Sequence, residues 1–170
     1  MTDPEAWVTS TLTGLADLLS TADPEAWDAP SLCVGWRVRH VVAHVTMPAR
    51  MTPEQYGAEM AAAGGDFGVL SDTVAARDAA LPRAELLTAL RSPQLHGWLP
   101  PGGGAPGALT HAVVHSLDVT VALGQPPVAP APAMTAVLDS VTAVNGAYFG
   151  LDLTGAVSYT HLTLPTNREV

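Results

Sequence analysis

Apolar residues recur along this chain with helical spacing and almost never alternate. After Asp3-Pro4 they fall at Trp7, Leu12, Leu15, Leu18 and Leu19, one stripe of a helix predicted to end near Ser20. Asp3 suits its N-cap, Pro4 its first turn and Glu5 the positive end of its dipole. The stretch TADPEAWDAPSLCVGW, punctuated by Pro24, Pro30 and Gly35, reads as a loop or short turn. A second helix is expected from about Arg37 to Met47, stopping before Pro48. Thr52-Pro53-Glu54 opens a third, which runs to Gly64-Gly65. A further pattern spans Ser71 to Arg91 with an interruption at Pro82, and SPQLHGWLPPGGGAPG reads as a surface loop. Helical spacing returns from about Pro106 to Leu123. GQPPVAPAP is a stiff spacer, and a last helix is expected from Ala133 to Tyr148. There is no heptad pattern and no internal repeat. Four or five amphipathic helices with mixed connections predict an all-α, antiparallel helical bundle over residues 1–156.

The last fourteen residues, VSYTHLTLPTNREV, break this pattern. They are Thr-rich and β-prone, and by composition alone they read as a strand. The string also resembles translated sequencing-adapter sequence. That implies a non-native tail from about Val157, poorly packed on the bundle, with the natural chain cut short near Ala156. His161 then drops out as a functional candidate.

At 170 residues with 48% hydrophobic and 14% charged side chains, the chain is long and apolar enough for one well-buried core. A formal net charge of −9 argues against nucleic acid, which needs a basic face. No basic amphipathic helix suits an anionic membrane, and no apolar run reaches the roughly 18 residues of a membrane span. The polar, acidic start MTDPEAW is unlike a signal peptide, so the cytoplasm is the expected location. One cysteine, Cys33, rules out an internal disulfide. Every basic residue is Arg, and Ala, Gly and Pro abound, a preference that follows from GC-rich codons.

Two histidine pairs at four-residue spacing, His40/His44 and His111/His115, carry the candidate chemistry. Residues four apart lie about 40° apart on a helix, with Cβ atoms roughly 5–6 Å apart. Such pairs also arise as surface or satisfied core histidines. A zinc-like ion needs three or four N, O or S ligands, so one helix supplies two and another must supply the third. His44, mid-helix in the apolar run RHVVAHV, is the best third donor to join His111 and His115. His40 stands near a helix start beside Arg37 and Arg39, where solvation is expected. His96 sits in a Gly/Pro loop, a poor place for a preorganised ligand. Asp118 is either an acceptor that orients a ligand imidazole or a surface charge. Cys33 is expected to pack as a small hydrophobe, with Trp27 and Trp36 as packing anchors.

Two stretches, PSLCVGWRVRHVVAHV at residues 30–45 and LTHAVVHSLDVTVALGQPP at 109–127, resemble the mycothiol-dependent maleylpyruvate isomerase metal-binding domain of the DinB-like (DinB/YfiT) superfamily. The resemblance implies a four-helix bundle holding a divalent metal, usually zinc, by three side chains. His44 and His115 match the histidines of the two motifs, and Asp118 matches the usual companion of the second. His111 stands where isomerase-like members often carry glutamate and other DinB-like members histidine, which leaves metal binding intact and the reaction open. Arg37 and His40 replace a threonine and an acidic residue, so a weaker first turn is expected there. Mycothiol is the low-molecular-weight thiol of actinobacteria, in keeping with the GC-rich codon preference. The implied function is activation of such a thiol for isomerisation or S-transfer onto an electrophilic small molecule, in a monomer or homodimer. The alternative is a non-catalytic metal-binding or regulatory bundle.

Overall fold

The computed structural model describes residues 3–147 and 152–154, and every regular element among them is a helix. Helix α1 runs Pro4–Thr21. The Asp3 carboxylate accepts the Glu5 N–H at 3.0 Å, as an N-cap should. Val8, Thr11, Leu12, Leu15, Ala16 and Leu19 form its buried stripe, with Trp7 and Leu18 at the edge. The segment expected to be a loop or short turn contains a short helix, α2, Pro24–Asp28. Five residues are too few to hold a helix alone. Trp27 supplies the missing support: it is 1% exposed, and its indole N–H donates to the Leu19 carbonyl at 3.3 Å.

Helix α3, Val38–Arg50, does not stop before Pro48 but passes through it. Proline has no N–H to give the His44 carbonyl, and its ring crowds that carbonyl. The Arg50 guanidinium ties the turns together, donating to the Ala43 carbonyl at 2.6 Å and to the Thr46 hydroxyl at 3.2 Å. At the other end, where a weaker first turn is expected, half of a capping pair is present. His40 Nδ1 accepts the Arg37 N–H at 3.2 Å, while arginine has no acceptor to return the bond. Burial, then the neighbouring Arg39 and Arg37, lower the His40 pKa, which keeps that nitrogen an acceptor.

Helix α4, Pro53–Ala62, begins with a complete capping box. Thr52 Oγ1 accepts the Gln55 N–H at 3.2 Å, and Gln55 Oε1 accepts the Thr52 N–H at 2.8 Å. Thr52→Ala should therefore cost about 1 kcal/mol in chemical denaturation, the usual worth of such a cap. An unchanged midpoint would show that α4 is held by its tertiary contacts alone.

Gly64 and Gly65 turn the chain with φ of 67° and 83°, and Asp66 then opens α5, Phe67–Asp78. The Asp66 carboxylate accepts the Gly68 and Val69 N–H groups, so this helix starts four residues before Ser71. Pro82 precedes α6, Arg83–Leu90, as the break in the pattern led one to expect. The following Gly/Pro stretch holds one more turn, α7, Pro93–His96, anchored by buried Leu95. Then come α8, Gly104–Thr120, and α9, Ala131–Ala143. Helix α9 ends earlier than expected, because Asn145 and Gly146 take φ of 52° and 74°.

The described residues up to Val137 make one compact unit, and those from Leu138 on belong to a second. In the first, α1 packs on α6 and α8, and α3 packs on the same two helices, closing a four-membered ring. Leu15, Leu19, Val38, Val41, Val42, Val45, Leu86, Leu90 and Val113 fill it, each almost fully buried. Burying each such side chain contributes roughly 1.5–3 kcal/mol. Helix α5 covers the outside of α3, where Met47, Leu70 and Val74 pack with partly buried Met51, Tyr56 and Met60. In the second unit the Asn145 amide donates to Asp152 at 2.9 Å. No helix among the described residues is long and apolar enough to cross a membrane. The tail from Val157, with His161, lies outside the described residues.

Candidate metal centre

Helix α3 presents His44 from a face that is otherwise core: Val41, Val42, Ala43 and Val45 are all buried around it. Helix α8 presents His111 and His115 from successive turns, and α3 packs against α8. The three imidazoles meet, with ring centroids 4.8–5.2 Å apart. One donor nitrogen from each lies within 4.8 Å of the others. His44 Nε2 and His111 Nε2 approach to 3.3 Å. Two nitrogens each about 2.0–2.1 Å from one tetrahedral ion would stand roughly 3.3–3.4 Å apart. Two facing lone pairs repel at that distance, so a proton or a cation must sit between them. His44 Nδ1, also buried, has no partner among the described residues, so nothing on its far side dictates which nitrogen carries hydrogen. The donor set fits a divalent cation.

His115 is held differently. Its Nδ1 donates to Asp118 Oδ2 at 2.9 Å, leaving Nε2 with the lone pair. Asp118 therefore holds the His115 imidazole by a hydrogen bond. The same carboxylate oxygen meets Cys33 Sγ at 3.2 Å. Cys33 was expected to be a buried hydrophobe; it is half-buried and makes a polar contact. Burial, then the bond to Asp118 and its charge, push the thiol up to about 12. Cys33, His115 and Asp118 form a second cluster whose ligand atoms could share an ion.

Trp36 is more than a packing anchor. Its indole N–H donates to Asp72 at 2.9 Å, and its ring stands 5.2 Å from His44. Phe67 approaches His44 edge-on at 6.2 Å, and Trp98 approaches His111 at 5.3 Å. Neither was singled out from the sequence, although a tryptophan inside a Gly/Pro stretch is a signal worth following. His40 and His96 stay outside the centre; His96 Nε2 bonds the Leu90 carbonyl at 2.8 Å.

Burial, with a smaller contribution from His115, lowers the His44 pKa to about 3. Burial and the two neighbouring imidazoles push His111 well down too. In the unfolded chain a histidine protonates near pH 6.5. Between those values the unfolded state binds the extra proton, so this stability is present above about pH 6.5 and lost as pH falls towards 3. His44 alone should remove roughly 2 kcal/mol by about pH 5. Urea denaturation in the presence of a chelator, at about pH 7.5 and about pH 5, measures it. A midpoint that does not move would show that these imidazoles protonate freely in the fold.

The family model of the mycothiol maleylpyruvate isomerase N-terminal domain matches residues 8–94, which include most of α1, all of α2 through α6, and His44. Comparisons with curated proteins and with solved structures found no significant match.

Proposed function

The chain belongs to the mycothiol maleylpyruvate isomerase N-terminal domain family, and from that premise we propose that it holds a divalent metal ion, zinc, at His44, His111 and His115. We propose further that it activates mycothiol for isomerisation or S-transfer onto an electrophilic small molecule. The observation that carries this reading is the convergence of three imidazoles from two helices on one point. When bound, the ion supplies a positive charge that stabilises a thiolate over its thiol near neutral pH.

The residues present suit that task. All three donors are neutral imidazoles, so no ligand charge offsets that of the cation. His111, standing where a glutamate is often found, is what keeps the set neutral. Asp118 holds the His115 Nδ1 proton and so leaves Nε2 free to donate its lone pair. The rings of Trp36, Phe67 and Trp98 flank His44 and His111 with apolar surface, where electrostatic interactions are stronger than in water.

The test uses the ultraviolet absorbance of thiolate. Zinc-loaded protein should lower the apparent pKa of mycothiol, and metal-free protein should not. Turnover of maleylpyruvate that requires both zinc and mycothiol would extend the result to catalysis. A thiol that titrates identically with and without zinc-loaded protein would leave a metal-binding bundle without this chemistry.

A further inference from the structure

The segment between α2 and α3 is crossed by its own hydrogen bonds and is bonded to α8 at Asp118. Pro30 bridges Arg37, Ser31 N–H donates to the Trp36 carbonyl at 3.0 Å, and Trp36 N–H donates to the Cys33 carbonyl at 3.0 Å. The Ser31 hydroxyl accepts the Cys33 N–H at 3.2 Å and donates to the Trp36 carbonyl at 2.9 Å. Two bonds then tie this segment to Asp118. Leu32 N–H donates to the Asp118 carbonyl at 3.1 Å, and Cys33 Sγ meets Asp118 Oδ2 at 3.2 Å. That oxygen is the one that also accepts from His115 Nδ1, at 2.9 Å. The segment leads directly into α3, which carries His44, while α8 carries His111 and His115.

We infer that Cys33 is a positioning residue for His115: its thiol donates to Asp118 Oδ2, fixes that carboxylate, and through it sets the tautomer and direction of the imidazole. The inference deepens the metal reading and rests on it only for the affinity arm of its test. An S–H donor is weak, but a charged acceptor strengthens the bond, and the 3.2 Å separation of Cys33 Sγ from Asp118 Oδ2 is within reach of one. A carboxylate accepting two donors on one oxygen has less freedom to rotate than one accepting a single imidazole. The cysteine thus contributes as a hydrogen-bond donor, a role that neither its packing nor its nucleophilicity covers.

Two readouts test this, one without metal. In metal-free protein, nitrogen NMR of the His115 ring should show hydrogen on Nδ1 in wild type and in Cys33→Ser, which keeps a donor. Cys33→Ala and Cys33→Val, which have none, should give a mixture of tautomers; valine fills the space should alanine fail to fold. In chelator competition, Cys33→Ala should weaken zinc binding roughly tenfold, the low end for an outer partner of a metal ligand. Serine should recover most of that loss, and in an Asp118→Ala background Cys33→Ala should add nothing further. An unchanged tautomer in both donorless variants would overturn the inference, and so would an unchanged zinc affinity in both. So would an equal loss in both backgrounds, or a thiolate-to-cobalt charge-transfer band in cobalt-loaded protein, which would make Cys33 a ligand. If wild type takes up no zinc, the metal reading fails, and the tautomer comparison still decides the role of Cys33.

Discussion

Protein carrying His44→Ala or His115→Ala should retain no stoichiometric zinc after loading and dialysis, whereas His96→Ala should retain it fully. A three-ligand site reduced to two neutral imidazoles loses both affinity and geometry, because such an ion needs at least three protein donors to be held firmly. His44 is the sharper test. It is the one donor that α3 contributes, and it is 4% exposed, so no nearby surface group can take its place. Removing it should separate metal loss from unfolding, because alanine at that point removes an imidazole whose Nδ1 has no partner among the described residues. His96 spends its ring on the Leu90 carbonyl and is the natural control. Metal analysis by mass spectrometry, with circular dichroism to verify folding, reads the result. Zinc retained equally well without His44 would sink the site as drawn.

The largest effect on stability is expected from Asp78→Ala, a loss of roughly 3–5 kcal/mol, the range for removing one partner of a buried ion pair. Asp78 is 9% exposed by side chain and pairs with Arg50, itself 12% exposed, as well as with Arg77 at 2.7 Å. Arg77 also reaches Glu59, so one network joins α3, α4 and α5. Burial pushes the Asp78 carboxyl up, but the bonds from Arg77 and Arg50 outweigh it and hold the pKa below its usual value. A lowered carboxylate contributes stability above its unfolded pKa, near 3.9, and that contribution disappears as pH falls through the folded value. Alanine would strand the Arg50 guanidinium, the same group that stitches α3 across Pro48. Urea denaturation at neutral pH measures the loss. A change under about 1 kcal/mol would show that the pair behaves as an exposed one.

Much of this architecture is legible in residue order alone. Helical spacing of apolar residues, N-cap residues such as Asp3 and Thr52, and breaks at Gly64-Gly65 and Pro82 mark an all-α chain and most of its helices. These signals are local: a cap satisfies N–H groups within three residues of itself, and a stripe is set by the helix repeat. The same locality made His111 and His115 visible as a pair on one face. It made His44 a candidate because an imidazole in an apolar run needs a reason to be buried.

Tertiary structure decided what depends on residues far apart in the chain. Helix α2 exists because Trp27 finds Leu19, and α3 continues through Pro48 because the Arg50 side chain folds back along it. Cys33 becomes polar only when Asp118, 85 residues away, is brought to its thiol. The convergence of His44 with His111, 67 residues apart, is of the same kind. Sequence spacing sets direction within one helix, but the packing of α3 on α8 sets the distance between two helices. That packing is fixed by the whole buried core and not by the histidines themselves.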